Sequence, residues 1–189
     1  MIYTETKLKG AYLIDIEPHD DERGFFARAY CQQEFMAHGL NTNWAQFNIS
    51  LNKKRGTLRG MHYQSEPYGE IKLVRCSLGK VFDVIVDLRI ESQTYTQWFG
   101  IELTAENHTM LYVPKGFAHG YQTLEDYTEV IYQVSEFYHP ECACGVRWND
   151  PVFSIKWPEV YKRTISEIDR RHEDIKLRTY SGKSESTLV

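Results

Sequence analysis

Eight short runs in the first three-quarters of the chain alternate apolar and polar side chains with a period of two. They are AYLIDIE, FFARAY, WAQFNIS, IKLVRCSL, VFDVIVDLR, WFGIELT, TMLYVP and TEVIYQVS. A period of two sends successive side chains to opposite faces of an extended strand. Turn signals such as DDERG, NKKRG, SLGK, PKG and LED separate the runs. Many short strands joined this way restrict the chain to a β-sandwich or barrel. In VFDVIVDLR, Phe82, Val84, Val86 and Leu88 share one face, with Asp83, Ile85 and Asp87 on the other. That pattern predicts a half-buried strand.

Helix is scarce. Cys31–Gly39 allows two turns closed by a glycine. Thr164-x-x-Glu167 reads as a capping box that starts a short helix at Thr164. With 189 residues, no repeat and no interior linker, residues 1–180 are expected to form one domain, and the small polar tail 181–189 to be disordered. The net charge of −4 argues against a nucleic-acid or membrane footprint. No run approaches the roughly 18 apolar residues of a membrane span. MIYTETKLKG lacks the basic and apolar blocks of a signal peptide, so a cytoplasmic location is expected. Cys31, Cys76, Cys142 and Cys144 offer no CxxC spacing, and free thiols are expected.

Two of the seven histidines stand out. His62 and His119 lie in strand-like segments beside glycine, where glycine often marks a bulge or the close approach of a ligand. His19, His38, His108, His139 and His172 sit among charged or turn residues and read as solvated. PKGFAHGYQ has the P-x-G-x-x-H pattern of a second cupin motif, but His62 is followed by Tyr63 and Gln64 rather than by a second histidine. His62, His119 and one of Glu66 or Glu70 would be the available ligands, and their spacing argues against a metal. His62 is then a base or a hydrogen-bond donor. Asp83 and Asp169 are its candidate carboxylate partners, and the residues alone do not choose between them.

LKGAYLID, RGMHYQ, KLVRCSLGKVFDVIVDLR, SQTYTQW, LTAEN, VPKGFAHGYQTLED, EVIYQVSEFYHPE, GVRWNDP and ISEID, in that order from Leu8 to Asp169, resemble the dTDP-4-dehydrorhamnose 3,5-epimerase family. The resemblance implies a cupin-type double-stranded β-helix or jelly-roll sandwich, all-β with short C-terminal helices. It also implies a homodimer with no metal or other cofactor, and a nucleotide-diphosphate 4-keto-6-deoxyhexose as substrate. His62 is then the base, Asp169 its orienting partner, Tyr132 the acid on the opposite side and Lys72 the group beside the enolate oxygen. Tyr138 is implied to stack on the nucleotide base, Arg23 and Arg59 to meet the diphosphate, and Gln46, Asn48 and His119 to touch substrate. Arg28, on the same segment as Arg23, stands where the family has glutamate, and Cys144 and Ile168 are further departures. They leave open a single-site epimerase or keto-isomerase on a CDP- or GDP-linked sugar. A non-catalytic sugar-nucleotide binding protein would keep the arginines while losing His62, Tyr132 or Asp169, and all three are present.

Independently of the resemblance, Tyr132 shares a strand face with Val130 and Val134, Lys72 with Val74 and Cys76, and Gln46 with Asn48. Simple alternation puts Arg59 and His62 on opposite faces, and a bulge at Gly60 would bring them together.

Overall fold

The computed structural model describes residues 1–177; the tail expected over 181–189 lies outside the described residues. Its strands are β1 (Ile2–Glu5), β2 (Tyr12–Asp15), β3 (His19–Asp21), β4 (Gly24–Phe26), β5 (Gln46–Asn52), β6 (Thr57–Gln64) and β7 (Lys72–Leu78). There follow β8 (Lys80–Asp87), β9 (Trp98–Thr104), β10 (Met110–Val113), β11 (Phe117–Thr123), β12 (Thr128–Val134), β13 (Ala143–Gly145) and β14 (Thr164–Ile165). Two short α-helices, α1 (Gln32–Ala37) and α2 (Glu167–Arg170), and a 3-10 turn at Pro140–Cys142 complete the secondary structure of the described residues. No described helix is long and apolar enough to cross a membrane.

All the strands except the β3–β4 pair form two facing sheets. One runs β1-β2-β10-β7-β12-β5, and the other β13-β6-β11-β8-β9. Val74, Cys76, Leu111 and Val130 of the first pack on Val81, Ile85, Leu103, Phe117 and Tyr121 of the second, giving the expected jelly-roll sandwich. Phe35 of α1 and Leu40 cover Ile14, Leu73 and Met110 on the outside of the first sheet. Gly39 ends α1 at φ +68, the closure that its sequence predicts.

Three expectations need correction. β8 is buried on both faces rather than one, with Asp83, Val84, Ile85, Val86 and Asp87 all fully enclosed. Val146, Phe153 and Trp157 fold over the Val84 and Val86 face, burial worth about 1.5–3 kcal/mol for each large side chain. Asp83 and Asp87 can be enclosed because each is hydrogen-bonded inside the protein. FFARAY is strand only to Phe26, where β4 closes a two-stranded hairpin with β3. Thr164 does not cap a helix. Its N–H donates to the Gly56 carbonyl (2.9 Å) as β14 pairs in parallel with Thr57 and Leu58. Ser166 is the cap instead, accepting the Asp169 N–H at 3.0 Å.

Candidate active site

The site begins with a break in strand register. β11 pairs His119 with His62 but Tyr121 with Arg59, so two steps on β11 span three on β6. The extra residue is a bulge, and it turns Arg59 and His62 toward the same face. Gly60, at φ +125, makes this geometry available. A Cβ there would lie 2.6 Å from Gly120 Cα and 2.9 Å from the His119 carbonyl oxygen.

His62 is held from behind. Its Nε2 lies 2.8 Å from Oδ1 of Asp169, while the other carboxylate oxygen accepts the Gly60 N–H at 3.2 Å. Burial works to raise the Asp169 pKa. The His62 hydrogen bond and charge, with the Gly60 N–H, outweigh it and hold the carboxyl below the ordinary aspartate value. An ionised carboxylate only accepts, so His62 Nε2 donates to it, and in the neutral ring Nδ1 is the nitrogen that carries the lone pair. Asp169 owes its position to α2, where the Ser166 cap ties its N–H. The carboxylate, in the place from which a capping box would reach back to its own cap, turns to β6 instead.

A cavity of about 310 Å3 opens between the two sheets, lined by His62 on one side and by Lys72, Tyr132, Gln46 and Asn48 on the other. The register explains the second group. Tyr132 stands opposite Asn48 and Val74, and Val134 opposite Gln46 and Lys72, so these side chains form two adjacent rows of one inner face. Burial, with smaller contributions from Tyr121 and Glu70, raises the Tyr132 pKa and keeps its phenol protonated. Lys72 is 8% exposed and forms an ion pair with Glu70, itself in the cavity wall. An inward lysine so enclosed needs such a partner. The chemistry this permits is proton removal from one side of a bound molecule, a buried cation and a neutral phenol facing the other side.

The remaining expected residues are more scattered. Tyr138 lines the cavity, and its N–H donates to Gln46 Oε1 at 3.1 Å. Arg59 donates from Nε to Asn52 Oδ1 (2.8 Å), and its charge reaches Tyr121 and Tyr132. His119 is buried beside His62 with Nε2 at 2.9 and 3.0 Å from the two Asp83 oxygens. Asp83 thus serves His119 and Asp169 serves His62. Arg23 pairs with Asp21 on the β3–β4 hairpin, and Arg28 with Glu34 at 2.8 Å. Both arginines lie outside the cavity lining of this chain.

Some of the lining does not follow from local sequence. His172, read as solvated, is half-buried at the cavity edge, with its Nε2 buried and without a hydrogen-bond partner. Burial chiefly, and the His62 ring next, hold its pKa below the usual imidazole value. His108 and His139 are also half-buried, His139 stacked on Tyr68 at 3.5 Å between ring centroids. The Gln64 amide donates to the carbonyls of Tyr68 and Phe137 and accepts the His139 N–H, bracing the loop that carries Tyr138. A polar residue at the inward end of β6 is the signal that would have found it.

Comparison with known proteins matches this geometry to one family. The family model described as dTDP-4-dehydrorhamnose 3,5-epimerase covers residues 5–176. The enzyme of that description from Methanothermobacter thermautotrophicus is 42% identical, over 92% of this chain and 94% of its own length. The crystal structure of the Elizabethkingia anophelis dTDP-4-dehydrorhamnose 3,5-epimerase superposes with a TM-score of 0.89 at 39% identity, covering 92% of this chain and 96% of that one. A Legionella pneumophila dTDP-6-deoxy-D-glucose-3,5-epimerase, solved with dTDP-4-keto-L-rhamnose, gives 0.86 at 34% identity and 92% coverage of each chain.

Proposed function

The chain belongs to the dTDP-4-dehydrorhamnose 3,5-epimerase family, and from that premise we propose that it inverts C3 and C5 of a dTDP-linked 4-keto-6-deoxyhexose through enolate intermediates. The observation that carries this reading is that His62 and Tyr132 come from opposite sheets and face one cavity. Inversion requires a proton to leave from one face of the sugar and return to the other.

His62 takes the proton next to the C4 ketone on Nδ1, with Asp169 steadying the imidazolium as it forms. Such a proton is too weakly acidic for imidazole unless the developing oxyanion is stabilised. The Lys72 ammonium is the group for that, a role typically worth about 3–4 kcal/mol of transition-state stabilisation. Tyr132 then donates its phenol proton to the carbanion from the far side. Tyr138 offers an exposed ring for stacking on the nucleotide base, and Arg59 a guanidinium whose planar fork suits the diphosphate.

A second copy of the chain completes the assembly. β5 is a sheet edge whose outward Phe47, Ile49 and Leu51 are 71%, 71% and 51% exposed, a patch that water does not favour. Arg23 and Arg28 lie outside this chain's own cavity, and we assign them to the cavity of the neighbouring copy. Sedimentation velocity should give a dimer, converted to monomer by Ile49→Asp, and a monomeric wild type would refute this arrangement. The activity is tested by incubation with dTDP-, CDP- and GDP-4-keto-6-deoxyhexoses in D2O, followed by NMR. Deuterium should enter at C3 and C5 of the dTDP sugar. Entry at one carbon would make the enzyme a single-site epimerase, and no entry with any substrate would overturn the epimerase reading.

A further inference from the structure

His172 has a place that the epimerisation scheme does not use. Its ring is seated directly on the backbone of Gly145, where a Cβ would meet His172 Nε2, Cε1 and Cδ2 at 2.2, 2.4 and 2.6 Å. Gly145 is itself the register partner of His62 on β6. The glycine therefore lets a second imidazole lie beside the first, with ring centroids 5.9 Å apart. His172 Nε2 is buried and has no hydrogen-bond partner, yet it points toward the carboxylate that His62 uses, 4.0 Å from Asp169 Oδ1.

We propose that His62, Asp169 and His172 form a site for one divalent transition-metal ion of the Zn2+ or Co2+ class, and that its occupation switches off proton transfer. One donor atom from each residue lies within 4.8 Å of the others. Ligands bound at about 2.1 Å stand roughly 3.0–3.5 Å apart around an ion, so His172 needs to close on Asp169 Oδ1 from 4.0 Å by about 0.5–1 Å, and no pair in the set by more than about 1.8 Å. Two imidazoles and one carboxylate form a set that these ions accept. The Gly60 N–H on the far carboxylate oxygen (3.2 Å) fixes the direction of the carboxylate, as outer hydrogen bonds do in metal sites, and Oδ1, which accepts the His62 Nε2 proton in the metal-free protein, turns to the ion when the ion takes that proton's place. The cavity supplies room for water in the open positions. The set differs from the histidine pair that the cupin motifs would have supplied, and the ion here is an inhibitor rather than a cofactor.

The switching follows from the tautomer. Without metal, His62 carries its proton on Nε2, toward Asp169, and presents the Nδ1 lone pair to substrate. The ion takes the Nε2 lone pair, and the proton formerly on Nε2 resides on Nδ1. The ring stays neutral, no charge is lost, and no lone pair remains to accept a proton. This part rests on the reading of His62 as the base; the binding part does not.

The test is an optical titration of chelator-treated, substrate-free protein with Co2+, read by its visible d–d bands. One equivalent per chain should saturate the wild type and a Cys144→Ser variant, which removes the thiol in the same cavity wall. His172→Leu should weaken binding by more than about tenfold, a loss that even outer partners of metal ligands can cause. Gly145→Ala should do the same with all three ligands present, because it unseats the His172 ring. Unchanged affinity in both variants, or loss of binding in Cys144→Ser, would overturn the site. Deuterium exchange into substrate should then fall as Co2+ saturates and return with EDTA. Full exchange on the saturated protein would overturn the switch. Absence of exchange before any metal is added would instead count against the epimerase, leaving the titration to decide the site by itself.

Discussion

Replacing Gly60 with alanine probes the bulge on which the site depends. The new Cβ would sit 2.6 Å from Gly120 Cα, whereas ordinary contacts begin near 3.4 Å, so β6 and β11 must separate by about 0.8 Å, the difference of those two distances. Both obstructing groups are backbone, and no side chain can swing aside. The dihedral adds a second cost, since φ is +125. Backbone strain of this kind is worth about 1–3 kcal/mol, and overpacking a further 1–3 kcal/mol or so. The two can be separated. Gly24 has φ +126 with nothing within 4 Å of its would-be Cβ, so Gly24→Ala carries the dihedral cost alone. Urea unfolding should show Gly60→Ala less stable than Gly24→Ala by about 1–3 kcal/mol. Turnover of Gly60→Ala should fall by about a hundredfold, the scale of a 1 Å misplacement of a reacting group. Equal stability of the two variants would refute the reasoning about the close approach. Full turnover would refute the claim that the bulge positions His62.

Asp169→Asn should lower turnover by about a thousand- to ten-thousandfold, because the amide can donate to Nε2 and so move the imidazole proton to Nδ1; steady-state rates at neutral pH check this. Ser166→Ala should destabilise by about 1 kcal/mol and reduce activity through Asp169, whereas Ser166→Asp restores the cap and much of both. Asp87 has its carboxyl held low, burial being outweighed by hydrogen bonds from Arg89, Ser92 and Thr94. A depressed folded pKa contributes stability above the unfolded value, about 3.9, and that contribution disappears as pH falls through the folded value. Asp87→Asn should therefore cost about 2–3 kcal/mol at neutral pH, and urea midpoints should show the gap from wild type narrowing below about pH 4.

Much of the cavity wall was legible because a strand's period of two is rigid. Lys72, Tyr132, Gln46 and Asn48 fall on the inner face by counting alone, and the glycine between Arg59 and His62 marks the bulge. Sequence could not choose between Asp83 and Asp169 for His62, since that choice depends on where a one-turn helix more than a hundred residues away docks. His172 was misread for a related reason. Its neighbours in RRHED are charged, but the glycine that seats it lies on another strand. Alternation in β8 showed its two faces without showing what covers them. The helix start was misplaced because Thr164 had a stronger use as a strand partner for β6 than as a cap.

The central claim is that base and acid act from opposite sides, and deuterium exchange in D2O with Tyr132→Phe against His62→Ala tests it most directly. With the dTDP-linked 4-keto-6-deoxyhexose, His62→Ala should show no solvent deuterium at C3 or C5. Tyr132→Phe should still incorporate deuterium with the original configuration retained, while inversion falls by about a hundred- to ten-thousandfold. Inversion at the wild-type rate in Tyr132→Phe, or exchange that persists in His62→Ala, would contradict the account.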